Sequence, residues 1–177
     1  MRVALNLAKK GLGLVAPNPC DGAIVVKDDK IVGKGFHSKA GGHHAEVMAI
    51  NEAGKLAHDG DLYVTLEPCN HHGKTPPCTE LIVKTRFRKV FIACKDLNPL
   101  VSGKGIAYLK SKNIEVDQGI LETEAVNLNK GFFKRVKEKK PYITIKIASS
   151  IDGNTSLKSC PLYTTDASAD TIRVALD

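Results

Sequence analysis

The strongest restriction on the fold comes from three potential metal ligands at the ends of predicted helices and strands. His44 falls in the first turn of a helix predicted for residues 43–53, and Cys69 follows a strand predicted for residues 61–66. Cys78 precedes the next predicted helix, after two prolines that favour a helix start. A catalytic zinc ion takes three protein ligands of this kind and keeps a fourth position open for water. The sequence therefore predicts a zinc site between a strand end and two helix starts.

Apolar residues along the rest of the chain alternate between helical spacing and short β-type runs. The pattern predicts a hairpin of residues 23–26 and 30–35 with a polar turn between the strands. Strands and helices then alternate, which indicates an α/β domain with helices layered on a sheet. The other predicted helices cover residues 3–14, 79–84, 103–112 and 122–135, and the other strands residues 89–93, 114–116 and 142–147.

A length of 177 residues suits one well-packed domain and is too short for two full catalytic domains. A shift to polar, turn-rich sequence after the strand at residues 142–147 predicts a domain boundary near residue 140. No apolar run is long enough to cross a bilayer, and the first ten residues lack a signal-peptide core. We therefore expect a cytoplasmic protein with no membrane partner.

The formal net charge of +7 fits nucleic acid, a small phosphorylated substrate or simple solubility, so charge alone identifies no partner. Aromatic residues, which would stack on a flipped base, make up only 5% of the chain and include no tryptophan. We therefore expect no nucleic-acid partner. The five cysteines are an odd number, which argues against a disulfide framework in a chain without a secretory signal. Cys20, Cys94 and Cys160 have no partner motif and are interpreted as ordinary structural residues.

Glu46 lies two residues after His44, where its carboxylate can reach metal-activated water without binding the ion. The order H-A-E, P-C and P-C, at residues 44–46, 68–69 and 77–78, is typical of zinc deaminases. In that chemistry the metal lowers the pKa of water, hydroxide attacks the carbon that carries the amino group, and the glutamate shuttles a proton to the leaving ammonia. Each residue alone is more often a helix cap or a core residue, but chance rarely produces the three motifs in this order.

Eight residues separate the two cysteines, whereas deaminases of cytidine or of nucleic acid usually have two there. This enlarged loop occurs with the motifs A-P-N-P (16–19), G-F-H (35–37), T-L-E-P-C (65–69) and D-L-N-P (96–99). Together they closely resemble the deaminase domain of the bacterial bifunctional riboflavin-biosynthesis deaminase/reductases. The resemblance covers residues 3–156 and implies a three-layer cytidine-deaminase-like α/β fold, in which a central mixed sheet has helices on both faces. It further implies Zn²⁺ as the cofactor and a homo-oligomer as the assembly.

In that family the substrate is a pyrimidinone carrying phosphoribosylamine. The resemblance thus implies hydrolytic deamination of 2,5-diamino-6-hydroxy-4-(5-phosphoribosylamino)pyrimidine, with zinc bound by His44, Cys69 and Cys78 and with Glu46 as the catalytic acid/base. Lys74, in the loop between the cysteines, would bind the phosphate. The other residues implied to line the substrate site are Asn18, His37, His71, Asp96 and Asn98. The two asparagines, which stand beside prolines, also fit simple turns.

Two parts of the chain depart from the family pattern. Asp21 stands where an apolar residue is expected, and an unpaired buried carboxylate there would destabilise the protein or bind a proton. Residues 146–153 resemble the opening strand of the family's reductase domain, and the chain ends soon afterwards. We therefore expect residues 1–140 to form the deaminase domain and residues 141–177 to form a truncated, degenerate reductase start without reductase activity. The chain is then a reduced gene product or a fragment, and a separate reductase stays open as a partner.

Two other functions fit part of the sequence. One is a deaminase of the same superfamily that acts on tRNA adenosine, a free base or a nucleoside, against which the long loop between the cysteines argues. The other is a zinc-stabilised binding module without chemistry. Three ligands and an intact Glu46 argue against that module, although His71 could complete a closed, four-ligand site.

Overall fold

The computed structural model describes residues 1–72, 76–98 and 101–146, and in this part of the chain five strands form one mixed sheet. The strands are β1 (Gly22–Lys27), β2 (Lys30–Phe36), β3 (Asp61–Leu66), β4 (Lys89–Cys94) and β5 (Glu115–Gln118). Their order across the sheet is β2-β1-β3-β4-β5. The strand β1 is antiparallel to both of its neighbours, whereas β3, β4 and β5 run parallel.

Helices cover both faces of the sheet. They are α1 (Arg2–Ala8), α2 (Ala45–Ala53), α3 (Cys78–Thr85), α4 (Lys104–Ser111), α5 (Glu122–Leu128) and α6 (Lys130–Glu138). One core cluster joins apolar residues of α2, α3 and α4 to the sheet, and a second cluster joins residues of α1, α5 and α6 to the ends of β3 and β4. This arrangement is the predicted three-layer α/β architecture.

The first two strands form the predicted hairpin. Asp28 and Asp29, in the turn between them, have φ values of 48° and 58°. Two consecutive residues with positive φ give a tight turn whose twist matches that of the flanking strands, and aspartate tolerates this conformation better than most residues. The polar turn in the sequence therefore has a direct structural counterpart.

The start of α2 is fixed by close backbone packing on β2. A Cβ atom at Gly35 would lie 2.2 Å from the carbonyl oxygen of Ala45, and one at Gly33 would lie 2.1 Å from that of Ala49. Because any side chain at these positions would push the helix away, the two glycines let α2 lie directly against the strand. This contact sets the position of His44 and Glu46 relative to the sheet.

Several sequence predictions are wrong in detail. The helix predicted for residues 122–135 is two helices, because Asn129 leaves helical geometry and bonds a distant part of the chain. The helix predicted for residues 3–14 ends at Ala8 and continues only as a short 3₁₀ turn.

The strand predicted for residues 142–147 is also wrong over the residues described. Residues 142–146 belong to no strand, and the side chains of Ile143 and Ile145 are 63% and 72% exposed. An apolar β-type run needs a neighbouring strand to pair with, and none of the described strands is paired with this segment. Residues 147–177, which include Cys160 and most of the predicted reductase-like segment, lie outside the described residues. The predicted boundary near residue 140 therefore stays a prediction. None of the helices within the described ranges has the length and apolarity needed to cross a membrane.

Candidate active site

The structure brings the three predicted metal ligands together beyond the carboxyl end of the central strand β3. His44 is the N-cap residue of α2, Cys69 lies just beyond the end of β3, and Cys78 opens α3. The Nδ1 atom of His44 lies 3.6 Å from Sγ of Cys69 and 3.3 Å from Sγ of Cys78. The candidate ligand atoms of the three residues all lie within 4.8 Å of one another.

These separations suit a zinc ion. With Zn–S bonds of about 2.3 Å and Zn–N bonds of about 2.0–2.1 Å, tetrahedral geometry places a nitrogen and a sulfur ligand about 3.6 Å apart. A set of one imidazole and two thiols is typical of zinc and unlike the oxygen-rich sets of magnesium or calcium. The residues present therefore fit zinc, and they leave one of its four positions for water or substrate.

Hydrogen bonds among the three ligands converge on the sulfur of Cys69 and shift the pKa values of all three. A hydrogen bond from the Cys78 thiol is the largest cause that lowers the pKa of Cys69, to about 4, and the same bond raises the pKa of Cys78. The backbone N–H of Cys78 also donates to Cys69 Sγ, at 3.4 Å. The hydrogen bond between His44 and Cys69 raises the pKa of His44 to about 9. Because metal ligands must be deprotonated, zinc binding releases protons from this cluster.

Glu46 is buried in the first turn of α2, two residues after the ligand His44. It is 2% exposed, and its Oε2 atom has no hydrogen-bond partner among the described residues. Burial raises its pKa well above the usual value, with repulsion from Asp21 as the second cause. A carboxyl group whose pKa is raised by burial and whose Oε2 has no partner is suited to take up and return a proton.

Asp21 is also buried, at a position where the family pattern led us to expect an apolar side chain. The hydroxyl of Thr65 donates to its Oδ1 at 3.0 Å, and the N–H of Gly22 donates to that hydroxyl oxygen at 3.0 Å. The carboxyl group is therefore partnered. Burial nevertheless raises its pKa, so the structure relieves only part of the predicted cost.

A cavity of about 200 Å³ opens beside the ligand set. Five of the six residues predicted to bind substrate line it, together with the ligands His44 and Cys69 and the acid Glu46. The five are Asn18, His37, His71, Asp96 and Asn98. The sixth, Lys74, lies outside the described residues. Residues from five separate segments of the sequence thus meet in one place.

Hydrogen bonds hold several of these side chains in place. His37 is 2% exposed; its Nδ1 bonds the carbonyl oxygen of His43 at 2.9 Å, and its Nε2 bonds Nδ2 of Asn18 at 3.0 Å. One tautomer, with the proton on Nδ1, satisfies both bonds. Asp96 accepts the N–H of Asn98 at 2.8 Å, and burial raises the pKa of Asp96 to about 6. The Nδ1 atom of His71 is buried without a partner among the described residues, which leaves it available to a ligand.

Sequence reasoning did not assign six residues that line this cavity to the site: Pro19, Asp21, Leu66, Glu67, Val101 and Phe132. Glu67 is 3% exposed, and it accepts hydrogen bonds from the N–H groups of Gly103, Gly105 and Ile106 at 2.9–3.2 Å. It therefore ties the end of β3 to the start of α4. Asp21 and Phe132 also line the cavity. The only sequence signal for Asp21 was its departure from the family pattern, and Phe132 carried none.

Comparisons with known proteins agree with this geometry. The family model described as the cytidine and deoxycytidylate deaminase zinc-binding region matches residues 1–94. The riboflavin biosynthesis protein RibD of Aquifex aeolicus is 53% identical over 153 residues, which are 86% of this chain and 43% of that protein. The chain thus spans less than half the length of this curated relative.

Solved structures give the same result. A RibD structure from Acinetobacter baumannii is 52% identical, with a TM-score of 0.83, over 88% of this chain and 44% of that one. The diaminohydroxyphosphoribosylaminopyrimidine deaminase/5-amino-6-(5-phosphoribosylamino)uracil reductase of Thermotoga maritima is 46% identical, with a TM-score of 0.88, over 94% of this chain and 49% of that one. These likenesses confirm the predicted cytidine-deaminase-like fold. The chain belongs to the zinc-binding cytidine and deoxycytidylate deaminase family, and it is similar to the deaminase half of the RibD riboflavin-biosynthesis proteins.

Proposed function

We propose that this chain hydrolyses one ring amino group of 2,5-diamino-6-hydroxy-4-(5-phosphoribosylamino)pyrimidine and releases ammonia, with zinc held by His44, Cys69 and Cys78. The observation that carries the proposal is the unpartnered, buried Oε2 of Glu46 next to a ligand set that fits zinc. The choice of substrate rests on the similarity to RibD proteins and on the enlarged loop between the cysteines.

The residues divide the chemistry between them. Deamination adds the oxygen of water to the ring carbon and sends the amino group away as ammonia, so protons must move from the water to the amino nitrogen. When bound, zinc supplies the Lewis acidity that activates water near neutral pH. The Glu46 carboxylate takes a proton from the water and returns it to the amino nitrogen as the C–N bond breaks. Asn18, His71 and Asp96 offer hydrogen bonds to ring or ribose edges from the cavity wall.

Several predictions about partners accompany this proposal. Lys74 stays the predicted phosphate ligand, since a phosphate ester favours a cation in its site. Homo-oligomerisation, a separate reductase partner and the absence of reductase activity also stay predictions. The expectation of no nucleic-acid partner also stays a prediction, which rests on the low aromatic content and the long loop between the cysteines.

The decisive experiment compares zinc content and ammonia release from the phosphoribosylaminopyrimidine for the parent chain, Glu46→Gln and Glu52→Gln. Glu52 is a matched control, because it is an exposed acid on the same helix. We expect one zinc per chain in all three. We expect release to fall by roughly 10²- to 10⁴-fold in Glu46→Gln and to stay at the parent rate in Glu52→Gln.

Two outcomes would contradict the proposal. A parent chain that holds zinc but releases no ammonia would favour the zinc-stabilised binding module. Release from cytidine or from tRNA, with none from the phosphoribosylaminopyrimidine, would favour a deaminase of another base or nucleoside.

A further inference from the structure

The cavity wall that carries Asn18 and Asp21 is tied to the far end of the described chain. The side chain of Asn129 makes two hydrogen bonds to the backbone of Cys20: its Oδ1 accepts the N–H at 2.7 Å and its Nδ2 donates to the carbonyl oxygen at 2.8 Å. These bonds join residues 109 positions apart in the sequence. Asn129 is 3% exposed, so water does not compete for them.

Asn129 is itself held in place by the two helices that it separates. Its N–H bonds the carbonyl oxygens of Ala125 and Val126 at 3.3 and 3.1 Å, and its carbonyl oxygen accepts the N–H of Phe133 at 2.9 Å. The residue therefore ends α5 and begins α6. Because its backbone is anchored on both sides, its amide presents a fixed pair of hydrogen-bonding groups to Cys20.

The same helix pair contacts the cavity at two further points. Phe132, in the first turn of α6, lines the cavity. The guanidinium of Arg135 donates to the carbonyl oxygen of Pro17, the residue before Asn18. Both contacts come from residues beyond the part of the chain that the family model matches. The zinc-binding family region alone thus does not supply the whole wall of this cavity.

We propose that Asn129 is a positioning residue for substrate binding, which holds residues 18–21 in register with the zinc ligands by clamping the backbone of Cys20. The inference rests on the proposed function, because it assigns that wall to the substrate. The residues on either side of Cys20 are bonded to other parts of the site, Asn18 to the His37 ring and Asp21 to Thr65. A small displacement of the Cys20 backbone would therefore also move these cavity groups. Loss of the clamp is expected to weaken substrate binding more than it slows the chemical step.

The test uses Asn129→Ala, with Asn129→Asp as a milder variant that keeps an acceptor for the Cys20 N–H. Val116→Ala, a buried core truncation on the edge strand β5, is the control for simple loss of stability. Steady-state kinetics with the phosphoribosylaminopyrimidine give KM and kcat, and amide hydrogen exchange reports the protection of the Cys20 N–H. The same compound is titrated into Glu46→Gln with and without Asn129→Ala, which measures affinity without turnover.

We expect Asn129→Ala to raise KM about tenfold, as loss of about one net hydrogen bond implies, with kcat within about threefold and one zinc retained. The Cys20 N–H should exchange faster, and the affinity in the Glu46→Gln background should fall by a similar factor. Val116→Ala should lower the Tm and leave KM unchanged.

Three results would overturn the inference. They are unchanged protection of the Cys20 N–H, faster exchange with unchanged KM and affinity, or an equal rise of KM in Val116→Ala. A parent chain that binds the compound without releasing ammonia would instead contradict the proposed function, and the affinity comparison would still decide the role of Asn129. No binding by any variant would overturn both.

Discussion

At the scale of single residues, Asp21 is the clearest case in which burial sets the behaviour of a side chain. Its carboxyl group is 9% exposed and has Thr65 as its hydrogen-bond donor, yet its pKa is raised because burial disfavours the charged form. An acid whose folded-state pKa lies above the unfolded value binds its proton more tightly in the folded protein. Stability from this group is therefore fully present below the unfolded pKa of 3.8 and is lost as the pH rises through the folded pKa.

The raised pKa of Asp21 predicts how replacement by asparagine changes stability. The asparagine keeps an acceptor for the Thr65 hydroxyl and carries no charge, so the free energy of unfolding at pH 7.5 should increase. Each unit of raised pKa corresponds to about 1.4 kcal/mol. The difference from the parent should shrink at pH 4.5, where the parent carboxyl is closer to its protonated form. Urea unfolding of the zinc-free chains at both pH values measures this.

Asp28→Asn is the control for that comparison, because Asp28 lies exposed in the hairpin turn and asparagine accepts its positive φ. We expect a change within about 0.5 kcal/mol at either pH. Equal stability of Asp21→Asn and the parent at pH 7.5 would mean that the Asp21 carboxyl is not destabilised by burial.

At the scale of elements, the contact between the end of β3 and the start of α4 holds the candidate site together. Glu67, two residues before Cys69, accepts three N–H groups at the N-terminal end of α4, where a negative charge also complements the helix dipole. The helix lies so close that a Cβ atom at Gly105 would be 2.1 Å from the carbonyl oxygen of Pro68. The position of the Cys69 segment therefore depends on glycine at residue 105.

Two glycine substitutions separate this packing effect from helix propensity. Gly105→Ala should destabilise the chain by more than about 3 kcal/mol, because the new methyl group meets backbone that cannot rotate away. Gly131→Ala, in α6, places its Cβ at an ordinary 3.7 Å from Tyr142 and should be neutral or stabilising by up to about 1 kcal/mol. Urea unfolding measures both variants. Similar values for the two would refute the close approach of α4 to Pro68.

At the scale of the whole molecule, the proposed zinc ion joins α2, the segment after β3 and α3. These are separate parts of the chain, so an ion bound only in the folded state adds its binding free energy to folding. The effect is about 2.7 kcal/mol when free zinc is a hundredfold above its Kd. For a chain of this size that corresponds to about 5–10 °C in Tm.

Two cysteine substitutions test this link. In the parent and in Cys94→Ala, a chelator should remove one zinc per chain and lower the Tm. Cys78→Ala should contain little zinc, and the chelator should leave its Tm unchanged. Cys94 is the matched control, because it is equally buried but its Sγ bonds the carbonyl oxygen of Thr65 rather than the ligand set. Zinc analysis and thermal unfolding with and without chelator distinguish these outcomes, and full zinc content in Cys78→Ala would contradict the proposed ligand set.

Local sequence signals were sufficient for much of the fold. The hairpin, the alternation of strands and helices, and the placement of His44, Cys69 and Cys78 at element ends all depend on residues within a few positions of one another. Hydrophobic period, proline position and turn composition are signals of that range. The helix break at Asn129 is different, because its side chain hydrogen-bonds the backbone of Cys20, 109 positions away in the sequence. The helix propensities of residues 122–135 do not depend on that distant partner, so they could not predict the break.

The sequence by itself determined the family, the zinc-binding residue types and the α/β arrangement, because motif order and hydrophobic period are written along the chain. Only the tertiary structure decided which side chains surround the cavity and in which charge state burial holds them. Asp21 became a partnered but protonation-prone acid, Glu67 became a helix cap, and Phe132 became part of the cavity wall. Burial and long-range hydrogen bonding depend on which elements pack together, and that is a property of the assembled layers rather than of any local segment.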